Sequence, residues 1–190
     1  LFTFINAAIH FMFWLIIYYA NRRDEKLLRL LVGLAITFIT LSILIQFDGY
    51  MVTVLWFAEG MVLFTLGRVK SKQFYEFTSY PVLILGAFSI LDEWTLHYNE
   101  FGTLDYQQVH QIIFNTNFME GLLVVLCLIV INYFFYHPKY SYETKMDIGI
   151  KNLTQIYVSG VLVIVIYYTF RLEIAIPFNQ LYSDSISLPY

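Results

Sequence analysis

The sequence predicts an all-α fold: a polytopic transmembrane helix bundle of about six spans, with both termini on the non-cytoplasmic side. Three observations carry that reading. Of 190 residues, 59% are hydrophobic and only 13% are charged, against about 25% charged in an average soluble domain. Six apolar runs each approach the ~20 residues needed to cross a hydrocarbon core of about 30 Å. Ten of the eleven Lys and Arg residues fall on one side of those runs, nine in alternate connections and Arg29 just inside a span. With a mean hydropathy of +0.64, the chain cannot cover itself with polar side chains in water, so lipid must solvate much of its surface.

The first run, Leu1–Ala20, has no basic n-region and no small-residue cleavage site, and reads as a spanning helix, not a signal peptide. The turn Asn21–Lys26 brings Arg22, Arg23 and Lys26, with Arg29 just inside the second span, Leu27–Gln46. After the short connection Phe47–Tyr50 comes Met51–Gly67, then a basic turn, Arg68–Lys72. The fourth span, Phe77–Leu91, is short and has Pro81 near its start, where a missing N–H costs little if the helix begins nearby and otherwise kinks it. Asp92–Asn117 is the longest loop. Phe118–Tyr136 and Leu153–Phe170 complete the spans, joined by His137–Lys151 with its three lysines. The positive-inside rule makes the basic turns cytoplasmic, leaving only Arg171 outside. Unpaired strand edges cannot face lipid, and no run alternates like a barrel strand.

The chain is expected to form one transmembrane domain over residues 1–190, since no Pro/Gly/Ser linker divides it. Its first residue is Leu, so a segment of a longer protein is expected. The outer loop 92–117 carries Asp92, Glu93, Glu100 and Asp105 without a Lys or Arg. Within it Leu104, Val109, Ile112 and Ile113 recur at roughly helical spacing behind Thr103, predicting a short interfacial helix. Tyr50 and Trp94 suit the outer aromatic belt, and Tyr75, Tyr133 and Tyr136 the inner one. A net charge of −3 with no basic patch offers nothing to nucleic acid. The single Cys127 excludes a disulfide framework and a Cys-based metal site.

Glu59 is the first candidate for chemistry. It follows Asp48 by eleven residues, which at 1.5 Å per residue puts it about 16 Å below the outer surface. An ionised acid at the bilayer centre costs about 2.5–3.5 kcal/mol, so Glu59 should face the bundle interior with a partner or be protonated. It is either a proton- or cation-handling carboxylate or a neutral, hydrogen-bonded carboxyl locking two helices. His10 lies midway along the first span and is a candidate partner for Glu59, the alternative being a bond to a backbone carbonyl. Glu120, three residues after Asn117, suits an Asn-x-x-Glu capping arrangement at the start of the fifth span. Asp48, Asp92, Glu93, Glu100 and Asp105 either line an outer vestibule or are ordinary solvated charges. Gly60 and Gly67, two turns apart, predict a close helix contact on one face of the third span, with Gly33, Gly86 and Gly160 in line for the same role. Arg171 and Glu173 read as a surface pair of little worth. The chain has no Ser-His-Asp order, P-loop, dinucleotide turn, CxxC or HxxH-type spacing, so no catalytic residue, metal or cofactor is assigned.

Three segments together resemble a known family. They are Phe47-Asp48-Gly49 leading into Trp56-Phe57-Ala58-Glu59-Gly60, the Phe114-Asn115-Thr116-Asn117-Phe118 opening of the fifth span, and Tyr167-Tyr168-Thr169-Phe170-Arg171-Leu172-Glu173-Ile174. The pattern is similar to a bacterial multi-pass predicted membrane protein family, a domain of unknown function with many spans behind an N-terminal coiled coil. It departs from that pattern at Tyr50 and Met51, where family members often carry a basic residue and Trp. It also lacks the basic residue expected between Asn and Phe at the fifth span. The resemblance implies a bacterial inner membrane and a larger multi-pass chain, and supplies no catalytic residue.

Three functional readings follow. A structural or assembly component of a larger membrane protein or complex fits the aromatic and small-residue content and the absence of a convergent catalytic set. Its partners would be the bilayer and other transmembrane helices or subunits. A proton- or ion-coupled transporter component would use Glu59 and His10, although the Gly/Pro-broken helix pair typical of transport sites is missing. An envelope enzyme acting on a lipid-linked sugar would use Asp48, Asp92 or Glu93.

Overall fold

A computed structural model describes residues 2–19, 24–100, 115–140 and 148–186, without the side chains of 96–100, 117, 148–152 and 175–186. Its described elements are α1 (Phe2–Tyr19), α2 (Glu25–Gln46), α3 (Tyr50–Lys70), α4 (Gln73–Glu100), α5 (Thr116–Tyr136) and α6 (Ile148–Ile186), with a 3-10 turn at Pro138–Tyr140. All six helices are long and apolar enough to cross a membrane. The protein is a multi-pass, all-α integral membrane protein.

Each helix start has a local cause. Asp24 caps α2, its carboxylate accepting from the Lys26 and Leu27 amides. Gly49 takes φ +56° at the sharp entry to α3, a conformation that an L side chain adopts only with strain. α3 ends at Ser71 in the left-handed conformation, where the Lys72 amide closes back on the Gly67 carbonyl. Asn115 caps α5, accepting from the Phe118 amide at 2.8 Å. The expected cap, Asn117, already lies inside the helix, so Glu120 is too far along to complete a capping box.

Other boundaries also differ from the sequence reading. α4 runs unbroken from Gln73 to Glu100, so Asp92 and Glu93 stand on a helix, not in a loop. Pro81 is absorbed into that helix with its ring exposed. The expected interfacial helix after Thr103 lies outside the described residues.

The connections from α2 to α3 and from α3 to α4 are a few residues long, which forces antiparallel neighbours. Along α3, Thr53 meets Ser89, Phe57 meets Gly86, Gly60 meets Leu83 and Gly67 meets Glu76, so contacts step backward along α4. α5 joins α3 on the other side, and α6 pairs with α5. The core of this four-helix unit holds Phe57, Phe64, Leu83, Ile90, Val124, Leu128, Ile131 and Val165. α1 and α2 form a hairpin that touches the unit mainly through α2. Of α1, only Ala7 is buried.

Glycines set how closely helices approach. A Cβ at Gly67 would lie 2.7 Å from the Glu76 backbone nitrogen, and one at Gly60 would lie 2.6 Å from a Leu83 methyl. The expected glycine face of α3 thus packs against α4. Gly86 receives the Phe57 ring, Gly33 has only ordinary contact with Phe74, and Gly160 faces open space, so it plays no such part. Gly121, which nothing in the sequence singled out, is pressed against the Thr169 side chain.

Candidate functional site

Several buried polar side chains pair across neighbouring helices. One pair lies near the C-terminal end of α3. Arg68 and Glu76 form an ion pair at 2.8 Å, with side chains only 1% and 2% exposed. Tyr80, one turn along α4, donates its hydroxyl to the same Glu76 oxygen at 2.8 Å. The guanidinium lies 4.5 Å from the Phe135 ring centre and 5.1 Å from that of Phe64. Those rings stack almost parallel, so the cation touches α5 as well as α4.

Arg68 had been counted with the basic turn. The structure extends α3 to Lys70 and turns Arg68 inward, because the two-residue turn Ser71–Lys72 places Glu76 opposite it. That geometry was the available signal: an Arg and a Glu at nearly equal distances from a tight helical turn.

Glu59 stands halfway along α3 and reaches α2. One carboxylate oxygen accepts the Thr40 hydroxyl at 2.9 Å, while Trp56, one turn earlier, donates its indole N–H to the Thr40 carbonyl at 3.2 Å. Glu59 Oε2 is buried with no hydrogen-bond partner among the described residues. His10 does not join it. Its Nδ1 is 2.7 Å from the Asn6 carbonyl, and the ring packs on Phe38. The backbone-carbonyl alternative describes His10, and Thr40 fills the place expected for it.

A third group gathers at the opposite end of the bundle from Arg68. Thr53 and Ser89 share a hydrogen bond of 2.7 Å. Glu120 is buried beside Thr53 and Glu93, with its Oε1 unpartnered among the described residues. Glu93 also reaches the Gly49 turn. Asp48 and Asp92 remain exposed, and among the described residues Glu93 and Glu120 are the predicted outer acids that come together; Asp105 and the Glu100 side chain lie outside the described residues. Asn115 donates to buried Glu173 at 2.7 Å, linking the mouth of α5 to α6. Glu173 is therefore not the surface residue expected, and Arg171 lies beside the Tyr167 and Tyr168 rings. Trp94 stacks on Tyr168 at 4.7 Å.

On α5 and α6, the Ser159 hydroxyl donates to Asn132 at 2.8 Å and lies 3.1 Å from the Tyr136 hydroxyl. Among the described residues no three His, Cys, Asp or Glu side chains converge to hold a metal ion. Cys127 is buried in the core. Chemically, the arrangement provides strong interhelical hydrogen bonds and two carboxyl groups with a spare oxygen each.

Comparison of the chain with family models, with curated proteins and with solved structures finds no match.

Proposed function

We propose that this integral membrane protein is a structural or assembly component of a larger membrane protein or complex, set in the bacterial inner (cytoplasmic) membrane as one transmembrane domain. The basic turns face the cytoplasm and both termini the other side. One observation carries the role: five polar pairs lock neighbouring helices, Arg68–Glu76, Thr40–Glu59, Thr53–Ser89, Asn115–Glu173 and Asn132–Ser159. In lipid, such hydrogen bonds and close small-residue contacts hold helices together, because the tails offer no hydrophobic contrast. The α1–α2 hairpin supports the same reading, since it leaves Ile9, Phe13 and Ile16 exposed on its rim. The family resemblance, carried best by Asp48-Gly49, Trp56-x-x-Glu59-Gly60 and Asn115-x-x-Phe118, suggests the same setting.

The test is photo-crosslinking in cells from positions Ile9, Phe13 and Ile16. Discrete protein adducts from these positions, absent from a lipid-facing control at Leu126, are expected. Lipid adducts alone would remove the assembly role.

A second reading, proton- or ion-coupled transport, is favoured by the unpartnered oxygens of Glu59 and Glu120. Glu59→Gln separates the two. As a lock it keeps the Thr40 bond and preserves insertion and assembly, whereas a proton-handling Glu59 loses activity in a protein that remains folded.

A further inference from the structure

At the basic end of the bundle, the α1–α2 hairpin and the turn between α3 and α4 enclose a cavity of about 700 Å³. Its mouth holds Arg29, Lys72, the Glu25 carboxylate and the first residues of α4, two cations against one anion. Lys72 is exposed in the turn, and Arg29 is exposed while bridging to Glu25 on its own helix at 2.8 Å. An exposed pair of that kind is weak, so the guanidinium remains open to a stronger anion. In the first turn of α4 the Tyr75 N–H is taken by the Lys72 carbonyl, while those of Gln73 and Phe74 precede the helix's own hydrogen-bond ladder.

Below this polar mouth the lining becomes apolar and aromatic: Trp14 and Tyr18 from α1, Val32 from α2 and Phe74 from α4. Val32 lies seven residues inside the start of α2, which at 1.5 Å per residue takes the cavity about 10 Å down, well into one leaflet. The cavity is therefore amphipathic in the same direction as a lipid, cationic at the headgroup level and apolar beneath it.

We propose that this cavity binds one anionic phospholipid, the phosphate held by Lys72, Arg29 and the start of α4, and the upper acyl chain lying between α1 and α4. Basic pockets between spans on the cytoplasmic side are a recognised setting for such headgroups. The apolar floor excludes free phosphate as the natural occupant, because a small hydrated anion gains nothing from Trp14, Val32 or Phe74. A bound lipid would also fill the gap left by the sparse packing of the α1–α2 hairpin on α3 and α4. The inference rests on the membrane-spanning fold and is independent of the assembly role.

The test uses the purified full chain in nanodiscs of phosphatidylcholine doped with either phosphatidylglycerol or more phosphatidylcholine carrying a brominated acyl chain. Trp14 fluorescence is read in a Trp56→Phe, Trp94→Phe background, with far-UV circular dichroism confirming the helices. Brominated phosphatidylglycerol should quench Trp14 at lower mole fraction than brominated phosphatidylcholine. Arg29→Gln with Lys72→Gln should weaken the preference by about fivefold per cation removed. Lys70→Gln, an exposed neighbour that does not line the cavity, should leave it unchanged. Native mass spectrometry of the unsubstituted protein should retain a phosphatidylglycerol adduct, and excess inorganic phosphate should not displace it. Equal quenching by the two lipids, an unchanged preference in the double variant, or displacement by inorganic phosphate would overturn the proposal.

Discussion

The buried Arg68–Glu76 pair makes a quantitative demand on stability. Replacing Glu76 by Leu leaves a guanidinium enclosed at 1% exposure with its carboxylate partner gone. Removing one member of a buried pair costs about 3–5 kcal/mol, because the surviving charge loses its counter-charge away from water. The Phe64 and Phe135 faces keep part of the cation's stabilisation, about 0.5–2 kcal/mol, which places Glu76→Leu toward the lower half of that range. Arg68→Met takes the counter-charge from the buried Glu76 carboxylate, which keeps the Tyr80 hydroxyl, and sacrifices both ring contacts, so it should fall toward the upper half. Exchanging the whole pair for apolar side chains of similar volume is often neutral or stabilising. The double variant should therefore unfold within about 2 kcal/mol of the parent, far short of the sum of the single changes. The coupling energy from the double-mutant cycle should therefore be at least about 5 kcal/mol, the single losses summing to about 7–9 kcal/mol. It can be measured by reversible unfolding in mixed micelles of increasing SDS fraction, followed by helical circular dichroism. A double variant as unstable as the two single losses added together would refute the reasoning, as would single variants indistinguishable from the parent.

Two further outcomes follow from the same structure. Gly67→Ala should destabilise toward the top of the about 1–3 kcal/mol range for overpacking, since its Cβ meets Glu76 backbone, while Gly60→Ala, which meets the Cδ2 and Cγ of the Leu83 side chain, should cost less. Equal or reversed losses in the same unfolding assay would contradict that packing. For orientation, a single Cys at Asp48 in a Cys127→Ala background should react with an impermeant thiol reagent added outside intact cells, and one at Lys72 should react only after permeabilisation; the opposite pattern would invert the proposed topology.

Much of the architecture was legible in the sequence because crossing a bilayer is a demand on each segment separately. Length and hydropathy are properties of one run, so six spans could be read without knowing which helix touches which. The Trp56-x-x-Glu59-Gly60 element and the Asn115 opening of α5 also stood out, though not for what they do. Only the fold shows that Trp56 and Glu59 meet the same Thr40 on α2, while Gly60 lets α4 approach. Only the fold places Asn115 against Glu173 and Thr169 on Gly121. The exchange of His10 for Thr40 as the partner of Glu59, and the turning inward of Arg68, belong to the same class. Each depends on the rotation of one helix about its axis relative to another. In water, an apolar stripe reveals that rotation. In a membrane, lipid is as apolar as the core, so both faces of a span are apolar and the inward one carries no compositional mark. Lateral pairing is therefore settled by polar groups and glycines finding one another across helices, a relation between two segments that neither segment contains alone.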